Sequence, residues 1–144
     1  MLHILLGYFE SHTIYRPGAS SAGRSPEFFR RAFTAVFLRA AHGVPPGTDP
    51  KAVSEWLADA MYSDARCGLF HDWMARSRIA LTKKPELIRA RGREGHIDEV
   101  TINVDKFLTM IETHFVGYVN ELKDQSNTGW RAAFNAGWEI THGA

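Results

Sequence analysis

Cysteine is nearly absent from this chain. Cys67 stands alone in 144 residues, so no disulfide can close within one molecule, and a reducing cytoplasm is the expected compartment. Long hydrophobic runs are lacking too: no stretch approaches the roughly 18 apolar residues of a membrane span. The opening Met1-Leu2-His3-Ile4-Leu5-Leu6 has neither a basic leader nor a small-residue cleavage site, so no secretory signal and no membrane association are expected. Histidines 3, 12, 42, 96, 114 and 142 show no His-x3-His or His-x-His spacing, so neither a metal nor a cofactor is expected. There is no internal repeat and no low-complexity tract. With 44% hydrophobic and 23% charged residues, residues 1–144 read as one ordinary globular domain.

Acidic residues are scarce in one place. Between Arg76 and Arg93 lie Arg76, Arg78, Lys83, Lys84, Arg89, Arg91 and Arg93 against the single acid Glu86. That stretch carries +6, so the rest of a chain of net charge +1 carries −5. A basic segment on a mildly acidic body suits a local anion site, although a solvated loop has the same composition.

Periodicity predicts mostly helices. Leu2, Leu6, Tyr8 and Phe9 form the buried side of a first helix over 2–15, stopped by Arg16-Pro17-Gly18. Glu10 falls between Leu6 and Ile14 on one i, i+4 row of that helix, and a carboxylate on an apolar stripe needs a partner. Ser25 is placed to cap a second helix, with Pro26 at its first position and Glu27 near the positive end of its dipole. Phe28, Phe29, Ala32, Phe33, Val36, Phe37 and Ala40 then give it a wide aromatic face, closed by Gly43 and Pro45-Pro46. Asp49-Pro50 opens a third helix with Val53, Trp56, Leu57, Ala60 and Met61 inside. Arg78–Thr82 and Ile97–Ile102 look like two strands around a Gly- and Arg-rich connection, read as a hairpin. Asn103 caps a long helix through Lys123, and a last one follows Asn127 with Trp130, Phe134 and Trp138 at i, i+4, i+8. The expected fold is a mainly α helical bundle with a small β-hairpin insertion at about 78–102.

Two chemistry-bearing residues stand out in Arg66-Cys67-Gly68-Leu69-Phe70-His71. An arginine can hold a phosphate and a histidine can move a proton near neutral pH. The same spacing recurs in Arg91-Gly92-Arg93-Glu94-Gly95-His96, so place in the chain must choose between them. In an ideal helix, side chains five apart point roughly 140° away from each other. Arg66 and His71 therefore converge only through a bend near Gly68 or across two chains.

With Arg66 to His71 after the third helix, Asp72 beside it, a basic insertion, and Ile102-Asn103 opening the long helix, the chain resembles the HEPN superfamily of small helical domains. The resemblance implies a homodimer and, for active members, metal-independent endoribonuclease activity of the toxin or defence type, with RNA or a nucleotide, and an antitoxin or regulatory protein, as partners. On that reading Arg66 and His71 are catalytic, with Arg66 clamping phosphate and His71 the acid/base group. Glu10 and Asp72 support them, and Arg76, Arg78, Lys83 and Lys84 bind the substrate backbone in a salt-sensitive way. Cys67 departs from the Asn or Asp that active members carry after the arginine. A catalytically inactive nucleotide- or protein-binding module, or a regulatory subunit docking through its aromatics, would share the same bundle.

Overall fold

The computed structural model describes residues 2–39, 50–67, 79–93 and 96–143. Its first helix, α1, spans Leu2–Tyr15. It ends where Pro17 supplies no N–H and Gly18 turns with φ of 64°, a left-handed backbone that suits glycine. Leu5, Leu6, Phe9, His12 and Thr13 are all buried, so α1 is enclosed on more than one side. α2 spans Ser25–Arg39 and buries the aromatic row that its spacing predicts. Phe9 sits at the centre of that row's packing, its ring 5.4 Å from Phe29, 5.2 Å from Phe33 and 5.9 Å from Phe107, within the range of favourable ring pairs. Thr13 Oγ1 donates to the Phe28 carbonyl across α1 and α2 at 2.9 Å.

α3 spans Pro50–Ala60, with Leu57, Ala58 and Ala60 buried and Trp56 packed at the edge of the core. It does not stop there. A π-helical turn, Met61–Arg66, continues it, closed by the Cys67 N–H donating to the Tyr62 carbonyl five residues back. Ser63 Oγ donates to the Asp59 carbonyl at 2.8 Å, a side-chain bond of the kind that bends helices.

The β insertion departs from the hairpin expected of residues 78–82 and 97–102. There are three strands, β1 (Ile79–Thr82), β2 (Ile88–Arg93) and β3 (His96–Asn103), in the order β1-β3-β2. β1 pairs with β3 in parallel, Ile79 opposite Val100 and Thr82 opposite Asn103. The hairpin is β2 with β3, Ile88 opposite Ile102, with a register shift at Arg91/Gly92. The Gly- and Arg-rich connection is thus itself an edge strand. Basic side chains along an edge mask a hydrophobic pattern while guarding the edge against further pairing, and a glycine in a strand marks a bulge. The core face carries Ile79, Ile88, Val100 and Ile102.

The link 83–87 crosses the carboxyl end of β3 to reach its far side, and side chains at the start of the next helix hold it there. Asn103 Nδ2 donates to the Lys84 carbonyl at 2.6 Å, the Asn103 N–H donates to the Leu87 carbonyl at 2.9 Å, and Lys106 Nζ donates to the Pro85 carbonyl. Asn103 Oδ1 also accepts from the Lys106 N–H at 3.1 Å, the N-cap expected of it. α4 then runs Val104–Lys123 and α5 Thr128–His142. α5 seats on the end of α1 through small residues: a Cβ on Gly137 would lie 2.9 Å from the Tyr15 Cα, and one on Gly18 would lie 2.9 Å from the Ala133 carbonyl oxygen. The fold is mainly α, with a small sheet inserted between the π turn and α4.

Candidate functional site

Arg66 ends the π turn. The i→i+5 pattern makes this turn wider than an α-helix, and such turns are frequent at functional sites. Arg66 Nη2 donates to Glu10 Oε2 at 2.9 Å, so the carboxylate predicted to need a partner meets an arginine 56 positions away. The other carboxylate oxygen, Glu10 Oε1, accepts from Ser25 Oγ at 2.5 Å. Ser25 thereby departs from its expected role: its hydroxyl is turned to Glu10 rather than to the end of α2, where the Phe28 N–H instead finds the Arg24 carbonyl. One carboxylate joins α1, α2 and the π turn. The side chains of Arg66 and Glu10 are 20% and 19% exposed, enough shelter to strengthen a charge-assisted bond over its value in open water.

Tyr62 completes the arrangement. The Arg66 guanidinium carbon lies 5.3 Å from the Tyr62 ring centre, within cation–π range, and Phe29 supports the ring from the core at 5.4 Å. Burial pushes the Tyr62 phenol above its ordinary value, and the nearby Cys67 pushes it further, against the pull of Arg66. Tyr62 is therefore a neutral hydroxyl at physiological pH. Arg30 of α2 reaches the same ring at 5.9 Å while bonded through Nε to Asp59 Oδ1.

Among the other predicted residues, Lys83 and Lys84 are exposed in the link that crosses β3. The Lys84 N–H donates to Thr82 Oγ1 at 3.1 Å and the Lys84 carbonyl accepts from Asn103 Nδ2, so the backbone of Lys84 is held on both sides. β1, which leads into the pair, packs beside the π turn. His71, Asp72, Arg76 and Arg78 lie outside the described residues.

What the described part can do chemically is hold an oxyanion. A guanidinium carries five N–H donors in a fixed fork, and a carboxylate that accepts one of them fixes its plane. Sequence reasoning missed Ser25, Tyr62 and Arg30 as parts of this neighbourhood. Tyr62 left a signal, since it stands four residues before Arg66. Arg30 and Ser25 left none, because their partners are distant in the chain.

A second polar cluster lies elsewhere along α1. Tyr8 Oη and His114 Nδ1 are 2.6 Å apart, and the rings of His12 and His114 meet edge-on at 4.7 Å. Burial, then the neighbouring Tyr118, push the Tyr8 phenol up to about 12. Among the described residues no helix is long and apolar enough to cross a membrane, and no three metal-ligating side chains converge. Comparison with protein-family models, with curated proteins and with solved structures finds no match to this chain.

Proposed function

We propose that the chain is a HEPN-like, cytoplasmic RNA-binding domain that works as a homodimer and cuts RNA without a metal ion, as a toxin or defence nuclease would. The observation that carries this reading is the guanidinium of Arg66, held by Glu10 at the end of a π turn immediately before the Cys67–His71 segment. Cleavage through a ribose 2′-hydroxyl needs a base for that hydroxyl, charge stabilisation at phosphorus and an acid for the leaving 5′-oxygen. Arg66 supplies the positive charge. His71 of one copy accepts the proton and His71 of the second copy donates one, which is why two chains are required. Lys83, Lys84, Arg76 and Arg78 hold flanking phosphates. An antitoxin or other regulatory protein would act by covering this surface.

The test is cleavage of a single-stranded RNA in the presence of a chelator. Wild type cuts it, while His71→Ala and Arg66→Ala each slow the reaction at least about 100-fold. Undiminished cutting by His71→Ala ends the proposal, and a strictly monomeric mass at micromolar concentration removes its two-histidine step.

A second reading rests on the sheltering of Arg66. A guanidinium neutralised by Glu10 and 20% exposed also suits a module that binds a nucleotide or a protein and cuts nothing. On that reading wild type binds RNA or a mononucleotide, His71→Ala binds equally well, and neither degrades it.

A further inference from the structure

Three side chains outside the Arg66–His71 motif form a track that leads away from it. Asp59 and Tyr62 stand on the α3–π segment that ends at Arg66, and Arg30 faces them from α2. The guanidinium carbons of Arg66 and Arg30 lie 5.3 and 5.9 Å from the same Tyr62 ring. Phe29 packs against the ring from the core, and Tyr62 is half-buried. Beyond Arg30 a shallow groove continues, lined by Arg31, Thr34, Ala35, Glu55 and Asp59.

The two arginines are tied down very differently. Arg66 and Glu10 are sheltered. Arg30 and Asp59 are 50% and 61% exposed, where an ion pair is worth little because water and salt screen it. A phosphate can therefore displace Asp59 from Arg30 at small cost. A planar phenol beside two guanidinium groups combines what single-stranded nucleic acid binding uses: flat surfaces for bases and cations for the backbone between them. Glu55 adds negative charge further along the groove and sets the limit of the track near Arg31.

We infer that single-stranded RNA runs from Arg66 across Tyr62 to Arg30, with a base stacked on Tyr62 where the exposed Arg30 guanidinium now lies, and with Arg30 swung from the ring and from Asp59 to hold a second phosphate. This rests on the reading of the domain as an RNA binder and adds a subsite to it. Base stacking gives the subsite its preference for unpaired RNA, since a base in a duplex has no free face to offer.

Fluorescence anisotropy with a short fluorescein-labelled oligouridylate tests it, using the His71→Ala protein with chelator so that the probe stays intact. Arg30→Ala is expected to weaken binding about ten-fold and to reduce the slope of log affinity against log salt by about 1. Tyr62→Leu is expected to weaken it by roughly ten-fold or more, and Tyr62→Phe, which keeps the ring, to restore most of that loss. Asp59→Asn is expected to tighten binding, because it frees Arg30 without removing any packing, and so reports on the subsite even if Tyr62→Leu disturbs folding. Unchanged affinity in Arg30→Ala and Asp59→Asn, with a large loss in Arg66→Ala, overturns the track and leaves the RNA-binding reading standing. A parent protein with no affinity for the probe overturns both.

Discussion

α1 carries two polar flanks, and they are built on opposite electrostatic plans. Along one, Glu10 bonds Arg66 of the π turn and Ser25 of α2. Along the other, Tyr8 and His12 meet His114 and Tyr118 of α4 through rings and one short hydrogen bond. The first flank uses full charges, and a sheltered charge tolerates only a partner of opposite sign in a narrow geometry. The second uses aromatic surface, which tolerates substitution by other rings of similar size. The same helix thus has one side that dictates a position and another that mainly fills space. The dictated position is that of Arg66, the residue proposed to hold a phosphate.

The comparison breaks first at Glu10. Glu10→Ala leaves a sheltered guanidinium without its carboxylate and is expected to cost about 2–4 kcal/mol in urea unfolding. The Arg66→Ala, Glu10→Ala double variant should lose clearly less than the two single losses combined, since the second removal takes away an already stranded group. Additive losses would show that the two residues do not act as a pair.

His114→Phe probes the aromatic flank. It keeps a ring of similar size against His12 and removes the nitrogen facing Tyr8 Oη, so a loss of about 1 kcal/mol is expected. A loss as large as that at Glu10 would erase the contrast between the flanks.

Alkaline titration sharpens the contrast further. Tyr8 has a folded value of about 12 against an ordinary value of 10.0, raised mainly by burial. The native state therefore holds this proton more tightly than the unfolded chain does. Its contribution to stability is complete below pH 10 and is lost as the pH rises through about 12. Tyr62 and Tyr118 are raised in the same direction, also chiefly by burial. Unfolding followed between these pH values should show stability falling, with a shallower fall in Tyr8→Phe. An identical fall in that variant would assign the slope to the other tyrosines.

The smallest effect is expected away from both flanks. Lys83→Ala removes an exposed side chain and should change stability by no more than about 0.5 kcal/mol. It should nonetheless lower the salt slope of RNA binding by about 1 if it neutralises a phosphate. An unchanged slope would remove Lys83 from the proposed RNA-binding surface.

Much of the helical part was legible because its signals are local. The Leu6–Phe9 spacing, the Pro17-Gly18 stop, the α2 aromatic row and the Asn103 cap each act within a turn or two of the chain, and each reappears at its expected position. β2 was illegible for the opposite reason. Ile88-Arg89-Ala90-Arg91-Gly92-Arg93 does alternate with arginine, but only Ile88 brings a large apolar side chain and the Gly- and Arg-rich remainder reads as a connection, so its strand character shows only in the pairing with β3. Glu10 was recognisable as a carboxylate in need of a partner. Which partner it finds was open between Arg66 and His71, and the observed bond is to Arg66. Ser25 reads as a helix cap by its neighbours, yet its hydroxyl turns to Glu10 at 2.5 Å.

By itself, then, the amino-acid order determined where α1, α2, α4 and α5 lie and that a small β insertion precedes α4. Caps, prolines and apolar periods operate between residues a few positions apart. Only the tertiary structure decided that β1 and β3 run parallel and that Glu10 joins Ser25 and Arg66. Those outcomes depend on groups 15 to 56 positions distant in sequence, which the folding of the whole bundle brings within bonding distance.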